Sequence, residues 1–142
     1  MKICIVIANY YPKISNNLFN GAKKILHGNN IKKYKKIMAP GIFEIPVIIA
    51  KNINRYDGFI ALGCVIKGKT PHFNFISSAS TNAIMHLAIT NKKPIGNGII
   101  TCLNKKQADE RSSLLKKNKG EEAARAVLDV LGCFKNDWKW GF

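Results

Sequence analysis

The segment GCVIKGKTPHFNF, Gly63 to Phe75, sets two lysines, a threonine and a histidine between an apolar run and two aromatics. Gly68 lets backbone approach a ligand closely. Lys69 and Thr70 stand just before a predicted helix start, where free backbone N–H groups and the helix dipole favour an anion such as phosphate. His72 suits proton transfer near neutral pH, because imidazole titrates there. It is equally compatible with a surface or capping histidine. A second segment, PGIFEIP, puts Phe43 beside Glu44, one of only eight acids in the chain. That carboxylate can accept from ligand hydroxyls or complement the dipole of a helix beginning there. A third segment, NYYPKI, carries Tyr10 and Tyr11, which suit stacking on a flat ligand or a place in the core or at its rim. Arg111, taken alone, is an ordinary polar helix residue.

Other chemistries are poorly served. GxGxxG does not occur, and although GCVIKGKT, Gly63 to Thr70, has the letters of GxxxxGK[ST], its first positions fall inside a strand-like apolar run, so a nucleotide-phosphate loop is not expected. No cluster of His, Cys and carboxylates has metal-ligand spacing, so metal is not expected. Cys4, Cys64, Cys102 and Cys133 lie far apart without a CxxC pair. Three of them fall in or at the ends of apolar strand-like runs. Reduced buried thiols in a cytoplasmic protein fit that pattern better than disulfides.

The elements that must hold these residues alternate. KICIVIAN reads as a strand. Ile14, Leu18, Ala22, Ile25 and Leu26 recur at helical spacing and stop at Gly28. A second strand spans about Ile31 to Met38, and its basic IKKYKKI segment suits a solvated edge. A helix is predicted over Phe43 to Ile53, with Pro46 in its first turn. A third strand covers Phe59 to Ile66, a helix about Phe73 to Thr90, and a fourth strand follows Pro94 to about Cys102. Helices over about Lys105 to Leu115 and Glu121 to Leu131 complete the pattern; the tail WKWGF stays unassigned. Strand–helix alternation implies right-handed crossovers and a parallel sheet covered on both faces. The expected fold is a three-layer α/β sandwich with a central four-stranded parallel sheet, in one domain over residues 1–142. Ligands in such sheets bind beyond the carboxyl ends of the strands. The three segments above follow the first three strands.

Bulk properties set limits. An apolar fraction of 46% fits a globular chain, and no apolar run reaches the roughly 18 residues of a membrane span. The net charge of +15 raises nucleic acid as a partner. Nearly all of it is scattered lysine, whereas base and phosphate readers lean on arginine forks. Nucleic acid is therefore not expected as the main ligand.

Taken in order along the chain, these residues resemble the lumazine synthase family of riboflavin biosynthesis. PGIFEIP and GCVIKGKTPHFNFI are similar to its two central motifs. KPIGNGIITCLNKKQADER and NKGEEAARA match its last strand, the helix after it, and its final helix. The resemblance implies condensation of 5-amino-6-(ribitylamino)uracil with 3,4-dihydroxy-2-butanone 4-phosphate to 6,7-dimethyl-8-ribityllumazine, with no cofactor or metal. It implies that Tyr10 stacks on the pyrimidine, and that Ile42, Phe43 and Glu44 hold the ribityl end. Backbone at Gly63, Cys64, Val65 and Ile66 would read the pyrimidine edge. Lys69, Thr70 and Arg111 would hold the phosphate, and His72 would move protons. Asn97 and Lys119 match positions that bind the ribitylaminouracil and are supplied across a subunit boundary. A cytoplasmic homopentamer is implied, with its product passed to riboflavin synthase; some members build a sixty-subunit icosahedral shell, which the sequence leaves open. The chain departs from the family pattern at Tyr10–Tyr11, at Ile42, at Lys69 and at Leu115.

Overall fold

The computed structural model describes residues 1–135; the WKWGF tail lies outside them. Four parallel strands form one sheet: β1 (Ile3–Ala8), β2 (Lys35–Ala39), β3 (Gly58–Ile66) and β4 (Ile95–Cys102), in the order β2-β1-β3-β4. Register runs Ala8↔Ala39, Ile7↔Leu62 and Val65↔Thr101, so all carboxyl ends emerge on one side. Five helices cover the faces: α1 (Pro12–Gly28), α2 (Ile45–Asn52), α3 (His72–Asn91), α4 (Lys105–Ser112) and α5 (Lys119–Lys135). The expected three-layer sandwich is present.

Alternation along the strands splits the core in two. Ile3, Ile5 and Ile7 point to one face, with Ile14, Leu18 and Leu26 of α1, Ala108 of α4, and Ala123, Ala124 and Val127 of α5. Cys4, Val6 and Ala8 point to the other, against Ile45 and Ile49 of α2 and Ile76 and Ile84 of α3. β1 and β3 are buried almost end to end, as central strands covered on both faces must be. β2 is a solvated edge, as expected: Lys35 and Lys36 are exposed, and Lys36 lies 4.0 Å above the Phe19 ring.

Several boundaries differ from the sequence expectation. The second strand starts at Lys35, not Ile31. Asn30 takes a left-handed φ of 62°, and Ile31 N–H turns back to the Leu26 carbonyl at 2.9 Å. Ile31 and Tyr34 thereby pack on the α1 side of the core. The helix expected from Phe43 begins as a 3-10 turn at Ile42–Glu44 and becomes α-helical only at Ile45, with Pro46 in its first turn. α4 ends at Ser112 rather than Leu115, while α5 starts earlier, at Lys119. Asn118 causes both changes, because its side chain bonds the Ser112 carbonyl and the Glu121 N–H.

Candidate active site

The order β2-β1-β3-β4 places a topological switch point between β1 and β3, where such sheets open a crevice. A cleft of about 410 Å³ lies there. Each wall belongs to a different crossover. After β1 come Tyr10 and Tyr11, with Pro12 opening α1 directly behind them. The Ser15 hydroxyl donates to the Ala8 carbonyl at 2.9 Å, seating that helix start on the strand end. After β2 come Gly41, Ile42, Phe43 and Glu44. The end of β3 supplies Cys64, Val65 and Ile66, and the following loop Gly68 and Thr70. The first turns of α3 close the cleft with His72, Phe73 and Ile76.

The ring of Tyr10 is largely exposed and stands edge-on to Tyr11, centroids 4.9 Å apart. Phe43 is also exposed, at 72%. Two exposed aromatics flanking a cleft offer flat apolar surface to a planar ligand. Glu44 is half-buried and is the one carboxylate among the cleft residues. His72 is the first residue of α3 and is exposed to solvent. Asn74 and Phe75 N–H groups both turn to the Pro71 carbonyl. The α3 N-terminus has no side-chain cap, which suits an anion beside Thr70.

Cys64 is a neutral thiol here. Burial pushes its pKa up to about 12, with neighbouring Cys102 adding to the shift. Burial likewise raises Tyr11, with smaller contributions from Cys64 and Tyr10. Neither group offers an anion near neutral pH; the carboxylate and the imidazole of the cleft are Glu44 and His72. Among the described residues no three His, Cys, Asp or Glu side chains gather as a metal-ligand set.

The cleft gathers Tyr10, Ile42, Phe43, Glu44, Cys64, Val65, Ile66, Thr70 and His72 from the sequence-derived set. It also takes Gly41, Phe73 and Ile76, which sequence reasoning missed. Ile76 follows His72 by four positions, about one helical turn, so helical spacing from His72 was a usable signal for it. Gly63 lies beneath rather than in the wall: a Cβ there would collide with Ile42 Cδ1. Lys69 is exposed outside the wall. Asn97 sits exposed on edge strand β4, its Oδ1 accepting from Ile99 N–H at 3.1 Å. Arg111 does not reach this cleft either. Its Nη1 donates to the Thr101 carbonyl at 3.0 Å and approaches Cys102 Sγ at 3.8 Å. Lys119 pairs with Glu122 at 3.1 Å at the start of α5.

Residues 1–135 match the family described as 6,7-dimethyl-8-ribityllumazine synthase. The chain belongs to this family. Curated members include one from Bartonella tribocorum, 43% identical over 94% of this chain and 89% of its own length. Another, from Bartonella bacilliformis, is 41% identical over 94% of this chain and 90% of its own. A third, from Agrobacterium fabrum, is 41% identical over 91% of each. All three carry the name 6,7-dimethyl-8-ribityllumazine synthase. For a 6,7-dimethyl-8-ribityllumazine synthase family member the two groups of residues call for different accounts. One group lines the chain's own cleft. The other, with Arg111, Asn97 and Lys119, lies away from it.

Proposed function

We propose that this chain condenses 5-amino-6-(ribitylamino)uracil with 3,4-dihydroxy-2-butanone 4-phosphate, releasing phosphate and water and forming 6,7-dimethyl-8-ribityllumazine. The observation that carries this reading is the cleft across the switch point, where stacking rings, one carboxylate, one imidazole and an uncapped helix start converge. Tyr10 stacks on the pyrimidine. Backbone at Cys64, Val65 and Ile66, seated by Gly63, reads its edge. Ile42 and Phe43 pack the ribityl chain, and Glu44 accepts from its hydroxyls. Thr70 and Lys69 hold the phosphate where α3 begins.

The chemistry then follows from position. The uracil amine attacks the ketone carbon, and loss of water leaves a Schiff base. His72 accepts a proton from the attacking amine and returns one to departing oxygen, which suits an imidazole in both directions. Elimination of phosphate leaves an enol that tautomerises to a methyl ketone; the ribityl-bearing nitrogen attacks that carbonyl carbon, and a second water leaves as the ring closes.

Asn97, Arg111 and Lys119 complete a neighbouring copy's cleft in this reading. Two surfaces support the assembly. Phe43, Val47 and the outer side of α3, with Ala79 and Ala83, line a second groove of about 410 Å³. Leu103, Leu114 and Leu115 project elsewhere, around the ends of α4, and Leu115 is 96% exposed. A groove and a projecting apolar patch on different faces suit head-to-tail rings. We place the chain in a homopentamer, acting as one domain in the cytoplasm and passing its product to riboflavin synthase. No helix among the described residues is long and apolar enough to cross a membrane. Mixing the purified protein with both substrates tests the function. Lumazine absorbance with matching phosphate release supports it, and neither signal above the spontaneous rate overturns it.

A further inference from the structure

Asn118 has the most heavily bonded side chain of the α4–α5 connection, and nothing in the cleft accounts for it. It is 3% exposed. Its Nδ2 donates to the Ser112 carbonyl at 2.8 Å and to the Asn17 carbonyl at 3.0 Å. Its Oδ1 accepts from Glu121 N–H at 3.0 Å. Two carbonyl acceptors and one N–H donor admit a single orientation of the amide, so the side chain is locked. The fold also keeps a slot for it. A Cβ on Gly21 of α1 would collide with the Asn118 amide oxygen.

The three partners lie on three helices. Ser112 follows Arg111 at the end of α4, Glu121 is in the first turn of α5 beside Lys119, and Asn17 is on α1, which is anchored to β1. The loop between Ser112 and Asn118 is otherwise exposed, with Leu115 in solvent. The two amide N–H bonds therefore tie the Arg111 end of α4 to α1 and through it to the sheet, while the amide oxygen caps α5. We propose that Asn118 is a positioning residue for the phosphate-bearing substrate, acting through Arg111. The inference rests on the function proposed above. It predicts that loss of the tether harms the phosphate end of the reaction and spares the pyrimidine end.

Asn118→Ser tests this, because serine still caps α5 through its oxygen but cannot make the two amide bonds. Gly21→Ala is a second perturbation, which keeps the Asn118 residue but fills its slot and displaces its amide. Steady-state assays on the intact assembly give KM for each substrate, and inorganic phosphate serves as product inhibitor. A displaced Arg111 predicts a KM for the butanone phosphate raised about tenfold, with phosphate inhibition weakened alike. The KM for the ribitylaminouracil stays within about twofold. A rise in both KM values together, or in neither while the melting temperature falls, overturns the inference. A wild type that turns over neither substrate overturns the proposed function with it, whereas an active wild type with unselective variants removes this inference alone.

Discussion

His72 stands where the cleft meets the first turn of α3, and its backbone is held by that helix whatever its ring does. Its removal therefore affects proton transfer more than structure. His72→Ala is expected to slow turnover about 10²-fold, at the lower end of general acid–base contributions, with pyrimidine affinity little changed. Stopped-flow absorbance on saturating substrates measures this, and an unaltered rate removes His72 from the mechanism. The thiols predict behaviour at high pH. Burial pushes Cys4 up to about 11 and Cys64 up to about 12, from an ordinary value of 9.0. Neighbouring Lys35 pulls Cys4 back slightly, and Cys102 pushes Cys64 further. The unfolded chain thus loses these protons before the folded one. Stability from both thiols is complete below the ordinary value and drains as pH climbs through 9 toward 11 and 12. Urea midpoints at about pH 8 and about pH 10.5 should fall less steeply in Cys4→Ala than in wild type. Equal slopes would exclude Cys4 from the effect.

At the scale of elements, the alternation of strands and helices was legible because each element carries its own apolar period. KICIVIAN and FIALGCVI have the unbroken apolar runs of strands buried on both faces. Ends were less legible where a distant side chain sets them. Ile31 to Tyr34 have strand-like composition, yet the turn at Asn30 returns them to α1. The close approach of α5 to β4 was also invisible in the sequence. A Cβ on Gly96 would collide with the Ala123 carbonyl, and would lie 2.9 Å from Val127 Cγ2. Gly96→Ala must push the helix off the sheet, at a cost of about 1–3 kcal/mol for overpacking. Gly28, at the end of α1, has nothing within 4 Å of such a Cβ. Gly28→Ala should leave the urea midpoint near wild type while Gly96→Ala lowers it. The reverse order would contradict the packing described for α5.

For the whole molecule, exposed apolar side chains gather on and beside α3. Phe43, Val47, Phe75, Met85 and Ile89 all lie on α3 or on the segment packed beside it. Contiguous exposed apolar surface of this kind marks an interaction face. Three small residues of α3, Ala79, Ser80 and Ala83, line the groove, Ser80 from a buried position. Sedimentation equilibrium is expected to find a species near five times the 15.8 kDa chain mass. A stable monomer with full activity would remove the roles proposed for Asn97, Arg111 and Lys119.

By itself the sequence determined the layer architecture and the three strand-end segments that meet in the cleft. Both follow from local periodicity and from the rule that parallel strands open at their carboxyl ends. Only the tertiary structure decided which residues of one chain meet. Phe43 and His72 fell together because β2 and β3 flank the same strand. Arg111 fell outside because the connection after β4 puts α4 on the face opposite α2 and α3. Asn118 found Asn17 across 101 positions of chain. No local period encodes such a contact, because it depends on two helices packing side by side on the same sheet face.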